Sequence, residues 1–213
     1  MLRKFIEELE GIEKELFKEA EVIIETLDHV KNYLETQDVA LAEKIKENER
    51  KIDLQNFDVE DKCLKLLALY HPVAKDLRLV SMAMRISSNF ERICDICVEI
   101  SERYKKNVEK TLLVDVIRGI DIAKEMVRLS MDILRRKDTK IASKLEERDN
   151  QIDELYFTVF NKIVEKIKKN PERAEELINL ATILKYIERI GDILCKSGAR
   201  AVYVVEGKRI WIK

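Results

Sequence analysis

Two nearly identical pentapeptides, Glu-Arg-Ile-Cys-Asp at residues 91–95 and Glu-Arg-Ile-Gly-Asp at 188–192, each place a glutamate four residues ahead of an aspartate. On a helix that spacing puts both carboxylates on one face, about 6 Å apart, where like charges weaken an isolated helix by a few tenths of a kcal/mol. Two further acid pairs share the spacing, Glu49/Asp53 in "ERKID" and Asp149/Asp153 in "DNQID". Four hard oxygen donors gathered in one place call for cations, and carboxylate-only ligation suits Mg, Ca, Mn or ferric iron over soft ions. With this many oxygens a bridged multinuclear cluster is also within reach. A single pair of this kind in a chain that is 38% charged is ordinary solvated surface. Four pairs at matched positions are a candidate metal site.

Other chemistry is poorly supplied. Cys94-x-x-Cys97 lies within one helical stretch with no partner motif, and reads as two small buried thiols. His29 and His71 are isolated, without the Glu-x-x-His pairs of a ferritin-like di-iron centre. Neither a glycine-rich phosphate loop nor a nucleophile elbow occurs. Arg92 and Arg189, inside the pentapeptides, could orient the acids, bind an anion or simply pair with a surface carboxylate.

The elements that carry these acids are helices. Leu2, Leu9, Leu16, Ile23 and Val30 recur every seven residues, with Phe5 and Ile12 at the half-steps and Gly11 the one weak point. A break at "ETQD" (35–38) offers Thr36 or Asp38 as a cap. The second helix runs to about Tyr70 on a stripe of Leu41, Ile45, Ile52, Val59, Cys63 and Leu66, and Pro72 ends it. The third carries Leu79, Met82, Ile86, Phe90, Ile93, Cys97 and Ile100 and fades in 104–110. The pattern then restarts, with helices expected at about 112–136, 139–168 and 172–205 and a proline turn at 168–173. The tail "EGKRIWIK" is expected to fold Trp211 back on the body.

The two halves align. Asp38, Ala42, Lys44, Glu47, Ile52, Asp53 and Phe57 recur 100 positions later as Asp138, Ala142, Lys144, Glu147, Ile152, Asp153 and Phe157, and the pentapeptides recur 97 positions apart. The expected fold is therefore all-α: two tandem, repeat-related three-helix bundles over 1–107 and 108–206, followed by a tail at 207–213. Each bundle brings one acid pair on its second helix and one on its third. On helical wheels the pairs flank the apolar stripes, so packing those two helices together would line a seam with four carboxylates.

Composition narrows the function. Five glycines and two prolines in 213 residues leave little punctuation for a sheet fold, and a formal charge of −1 gives no basic field for nucleic acid. No apolar run reaches the length of a membrane span, and the acid-rich N-terminus does not read as a signal peptide. Four cysteines are too few for a disulfide scaffold. A reduced, cytoplasmic chain is expected, reaching a membrane only peripherally, through partners.

With these segments in view the chain resembles the PhoU family of phosphate-uptake regulators over nearly its whole length. "HPVAKDLRLV" (71–80) resembles the family's Pro-Val-Ala-x-Asp-Leu-Arg segment. "NFERICDICVEI" and "YIERIGDILCKSGARAVYVVEG" resemble its two Glu-Arg-Ile-Gly-Asp segments. The resemblance implies metal ions or small iron or zinc clusters held at Glu49, Asp53, Glu91, Asp95, Asp149, Asp153, Glu188 and Asp192, commonly in a homodimer. It implies a non-enzymatic regulator that restrains the phosphate ABC importer and, with a sensor kinase, phosphate-starvation signalling. The chain departs from the family pattern at Cys94, which replaces a glycine, and at Lys196, where the first half keeps an acid, Glu99. The two sites are thus expected to hold metal unequally, with Glu99 adding to the first. Two other readings are a carboxylate-bridged multinuclear metalloenzyme and a purely structural helical module. The missing histidines weigh against the first.

Overall fold

The computed structural model describes residues 2–104 and 109–212. Six α-helices account for nearly all of them: α1 Leu2–Thr36, α2 Val39–Tyr70, α3 Ala74–Arg103, α4 Lys110–Arg136, α5 Ile141–Lys169 and α6 Ala174–Glu206. No strand occurs among the described residues. The proposed boundary at 107/108 lies outside them.

The punctuation follows local chemistry. Asp38 caps α2, its side chain accepting from the Ala40 N–H at 2.9 Å, and Thr36 Oγ1 accepts from the Asp38 N–H at 3.3 Å. Ahead of Pro72, His71 takes a left-handed backbone (φ 46°) and closes α2. The second proline turn is built differently: Asn170 leaves the helical region (φ −139°, ψ 75°) and Pro171 opens a single 3-10 turn, Pro171–Arg173, that leads into α6. The last carbonyls of α1 and α4 meet left-handed residues at repeat-related positions, Gln37 (φ 56°) and Lys137 (φ 54°).

Each half packs its three helices around an apolar axis, and the halves then dock through α1 on α4 and α3 on α6. Both contacts are antiparallel. Lys31 pairs with Asp121 at 2.8 Å and Lys124 with Asp28, while Arg135 lies over the Phe17 ring at 4.7 Å. Along α3 and α6, Asn89 Nδ2 donates to Ser197 Oγ at 2.8 Å, and Arg200 Nη1 donates to the Arg85 carbonyl at 2.7 Å. Such a buried, satisfied amide fixes the register of an interface that apolar side chains alone would leave free to slide. The cores of the two halves merge into one continuous apolar cluster.

The tail corrects an expectation. Gly207, in the left-handed region (φ 75°), ends α6 and turns the chain back along it. Ile212, not Trp211, is the residue that inserts, while Trp211 is 91% exposed. Gly198 makes the space: a Cβ there would stand 3.2 Å from Ile212 Cδ1 and closer still to Leu145.

Candidate metal centre

In the first half α2 and α3 run side by side, and their acids meet. One carboxylate oxygen from each of Glu49, Asp53 and Asp95 lies within 4.8 Å of the other two, and among the described residues this is the only such trio of His, Cys, Asp or Glu. Glu91, one turn before Asp95, is coupled to the same group. Burial followed by the charges of Asp95, Asp53 and Glu49 raises its carboxyl above the ordinary range. Glu49 is raised by burial and then by Asp53 and Asp95, and Asp95 by burial and then by Asp53 and Glu99. Glu49, Glu91 and Asp95 are thus held above their ordinary range partly by neighbouring negative charge, which is what a cation would relieve. The donor set, all carboxylate oxygen on two rigid helices, fits a hard cation. Glu99 stands at the edge of the seam, where the Tyr186 hydroxyl donates to it.

In the second half the matching acids form no such trio among the described residues. Asp149 is 1% exposed and sits against α6, its Oδ1 only 2.9 Å from where a Cβ would stand on Gly191. The Cys195 thiol hydrogen-bonds with it, and burial and the Asp149 charge push that thiol far up. Glu188 pairs with Lys185 at 2.7 Å. Asp153 is half-buried on α5, and Asp192 is exposed beside Lys196 in a basic hollow.

One position explains the difference. Where α6 has Gly191, α3 has Cys94, a fully buried side chain packed against Thr26. The thiol fills the space that Asp149 takes in the other half, so Glu49 is only partly buried and meets Asp53 and Asp95 instead. The exchange is compensated beneath: Met126 reaches over Gly191 where Thr26 lies under Cys94. Lys185 and Lys196 then stand where the first half has Ser88 and Glu99, adding two positive charges beside the second-half acids.

Burial pushes the Cys94 thiol up to about 12, which disfavours the thiolate form. Cys63, Cys97 and Cys195 are likewise buried and free. Two features escaped the reading by residue type: a buried carboxyl at Glu19 and a set of cations around Arg85 and Arg200. Glu19 interrupts the apolar stripe of α1 and was visible as such. The cations come from both halves and have no signal in local sequence.

An all-α scaffold of two pseudo-symmetric three-helix units, with an acidic seam in one of them, belongs to the class of helical-bundle proteins built from a repeated unit. A PhoU domain model matches residues 16–104 and again 116–201, and the chain belongs to the PhoU family. It is 31% identical over 208 residues to the phosphate-specific transport system accessory protein PhoU homolog of Aquifex aeolicus, covering 96% of this chain and 94% of that one. The homolog from Archaeoglobus fulgidus is 33% identical over 178 residues, covering 82% of each. The crystal structure of PhoU from Pseudomonas aeruginosa superposes with a TM-score of 0.87 at 24% identity, over 96% of this chain and all of that one. The phosphate transport system regulatory protein PhoU from Streptococcus pneumoniae also gives 0.87, at 22% identity, over 97% of this chain and 99% of that one. These superpositions define the fold.

Proposed function

We propose that this chain is a non-enzymatic regulator of phosphate uptake, acting by contact with subunits of a phosphate ABC importer and with a cation held in its first-half seam. The observation that carries the reading is family membership over both repeats, with relatives named as accessory proteins of phosphate transport. No helix among the described residues is long and apolar enough to cross a membrane, which fits a protein that works from the cytoplasmic face through its partners.

Glu49, Asp53 and Asp95 would hold the cation, with Glu91 and Glu99 beside them. Bound there, the ion would supply positive charge that offsets the mutual repulsion and ties α2 to α3. Iron or zinc are the family expectation, and Mg, Ca or Mn suit the oxygen donors equally. Asp149, Asp153, Glu188 and Asp192 would take part only after rearrangement. The contact surface has a candidate in the outer faces of α2 and α5, where the repeat-related Phe57 and Phe157 are 74% and 64% exposed. A sensor kinase and a second copy of the chain are further partners of the same kind.

The test is a pull-down of importer subunits from membranes, using protein loaded with iron, zinc or manganese and protein stripped by chelator, with elemental analysis of each. Capture of the importer by loaded wild type and its loss in Asp95→Asn supports the reading. Equal capture by loaded and stripped protein refutes the metal's part. Failure to capture importer subunits under either condition refutes the regulatory reading.

A further inference from the structure

Between α3, α6 and the returning tail lies a hollow of about 250 Å³ whose charge is opposite to that of the acidic seam. Arg85 comes from the first half, and Lys196, Arg200 and Arg209 from the second, against one acid, Asp192. This concentration stands out in a chain with 40 basic and 41 acidic residues. Several cations elsewhere reach across to carboxylates, as Lys31 does at Asp121 (2.8 Å), Arg148 at Glu125 (2.8 Å) and Lys162 at Asp115 (2.9 Å). Among the described residues none of the four cations of the hollow forms an ion pair.

The pseudo-symmetry supplies an internal comparison. The matching hollow on the other side of the α3–α6 contact is lined by Glu99, Glu102, Arg103 and Glu175, a mostly acidic set. Lys196 stands where Glu99 does, Arg200 matches Arg103, and the tail brings in Arg209. The scaffold is shared, and the charge is inverted by the residues placed on it.

We propose that this hollow is a binding site for a phosphoryl group, either inorganic phosphate or the phosphate of a small metabolite. Four cations against one carboxylate leave three positive charges, more than a monocarboxylate would balance and suited to a dianion. Guanidinium forks from Arg85 and Arg200 can grip a tetrahedral oxyanion through paired N–H donors. Arg200 is half-buried, and one of its donors is already committed to the Arg85 carbonyl, so its fork is held in place before a ligand arrives. Burial, and then Arg85 and Arg92, lower the pKa of Arg200, so the crowded cations repel one another until an anion joins them. Tyr203 and Trp211 line the same hollow, and Arg209 lies over the Tyr203 ring at 5.5 Å. Because the cations come from both halves and the tail, an anion here would clasp all three together.

Trp211 is the chain's one tryptophan, so its fluorescence reports on the hollow directly. The experiment titrates inorganic phosphate, AMP, sulfate and chloride at matched ionic strength, by fluorescence and by calorimetry. Saturable binding of phosphate, AMP or both is expected. Similar affinities identify the phosphoryl group alone as the ligand, and much tighter AMP binding identifies a phosphorylated metabolite. Arg200→Gln should weaken binding at least about tenfold. Lys196→Gln with Arg209→Gln, both at exposed positions, tests the same point if Arg200→Gln does not fold. Lys18→Gln, on the remote face of α1, should bind as wild type does. Absence of saturable binding in the millimolar range by both methods overturns the proposal. So does sulfate or chloride binding as tightly as phosphate, or unchanged affinity in the hollow variants.

Discussion

Glu19 gives the most direct test of how the first-half core is held together. It is fully buried on α1, its Oε1 accepts from the Ser87 hydroxyl at 2.6 Å, and its Oε2 has no hydrogen-bond partner. Ser87 Oγ also approaches Asn56 Oδ1 at 3.0 Å, so the pocket is polar but does not saturate a carboxylate. Burial, opposed in part by the Ser87 hydrogen bond and reinforced by Glu15, pushes the Glu19 carboxyl from 4.5 up to about 7. At about 1.4 kcal/mol per pKa unit, that displacement is worth roughly 3 kcal/mol. Folding raises the pKa, so the native state holds the proton more firmly than the unfolded chain. The stability from this group is complete below about 4.5 and is lost as pH rises through about 7. Glu19→Gln keeps the shape and removes the charge. Urea unfolding of both proteins across this pH range should give similar stabilities near the acid end. By about pH 8.5 the variant should be more stable by up to about 3 kcal/mol. Taking the difference between the two proteins cancels the titration of every other group. Parallel pH profiles, or a variant less stable than wild type at the alkaline end, would refute the assignment of the proton to Glu19.

Four further outcomes follow from the packing and the seam. Gly191→Ala should destabilise by about 1–3 kcal/mol, read as a lower denaturant midpoint, because its Cβ would stand 2.9 Å from the buried Asp149 Oδ1. Lys137→Gly relieves a left-handed residue at φ 54° and should raise stability by about 0.5–1 kcal/mol, a gain of a few degrees in Tm. Adding manganese or zinc to chelator-treated protein should raise the Tm of wild type and of Asp192→Asn but not of Asp95→Asn, since only Asp95 belongs to the converging trio. Phe57→Asp with Phe157→Asp should leave the Tm within about a degree of wild type, as both rings are largely exposed. The same double variant should abolish capture of importer subunits if the outer faces of α2 and α5 are the contact.

Much of the scaffold was legible from one-dimensional pattern. Helix periodicity, the Asp38 cap, the proline turns and the repeat are local properties, fixed by which side chains recur at which spacing. The acid spacing was equally local, and so was the asymmetry between Glu99 and Lys196. What the acids do with that spacing depended on the residue beneath them. Cys94 fills its slot, and Glu49 joins Asp53 and Asp95; Gly191 leaves the slot open, and Asp149 turns inward. The effect of two side-chain heavy atoms, Cβ and Sγ, depends on packing against Thr26 and Met126 from another helix, which no spacing rule carries. The tail shows the same limit, since Gly198 opens a groove sized for Ile212 and leaves the larger Trp211 outside. The sequence by itself determined the helices, their repeat and the candidate acids, because those follow from contacts a few residues apart. Only the antiparallel docking of α3 on α6 decided which charges share a hollow, because Arg85 and Arg200 become neighbours through contacts more than a hundred residues apart.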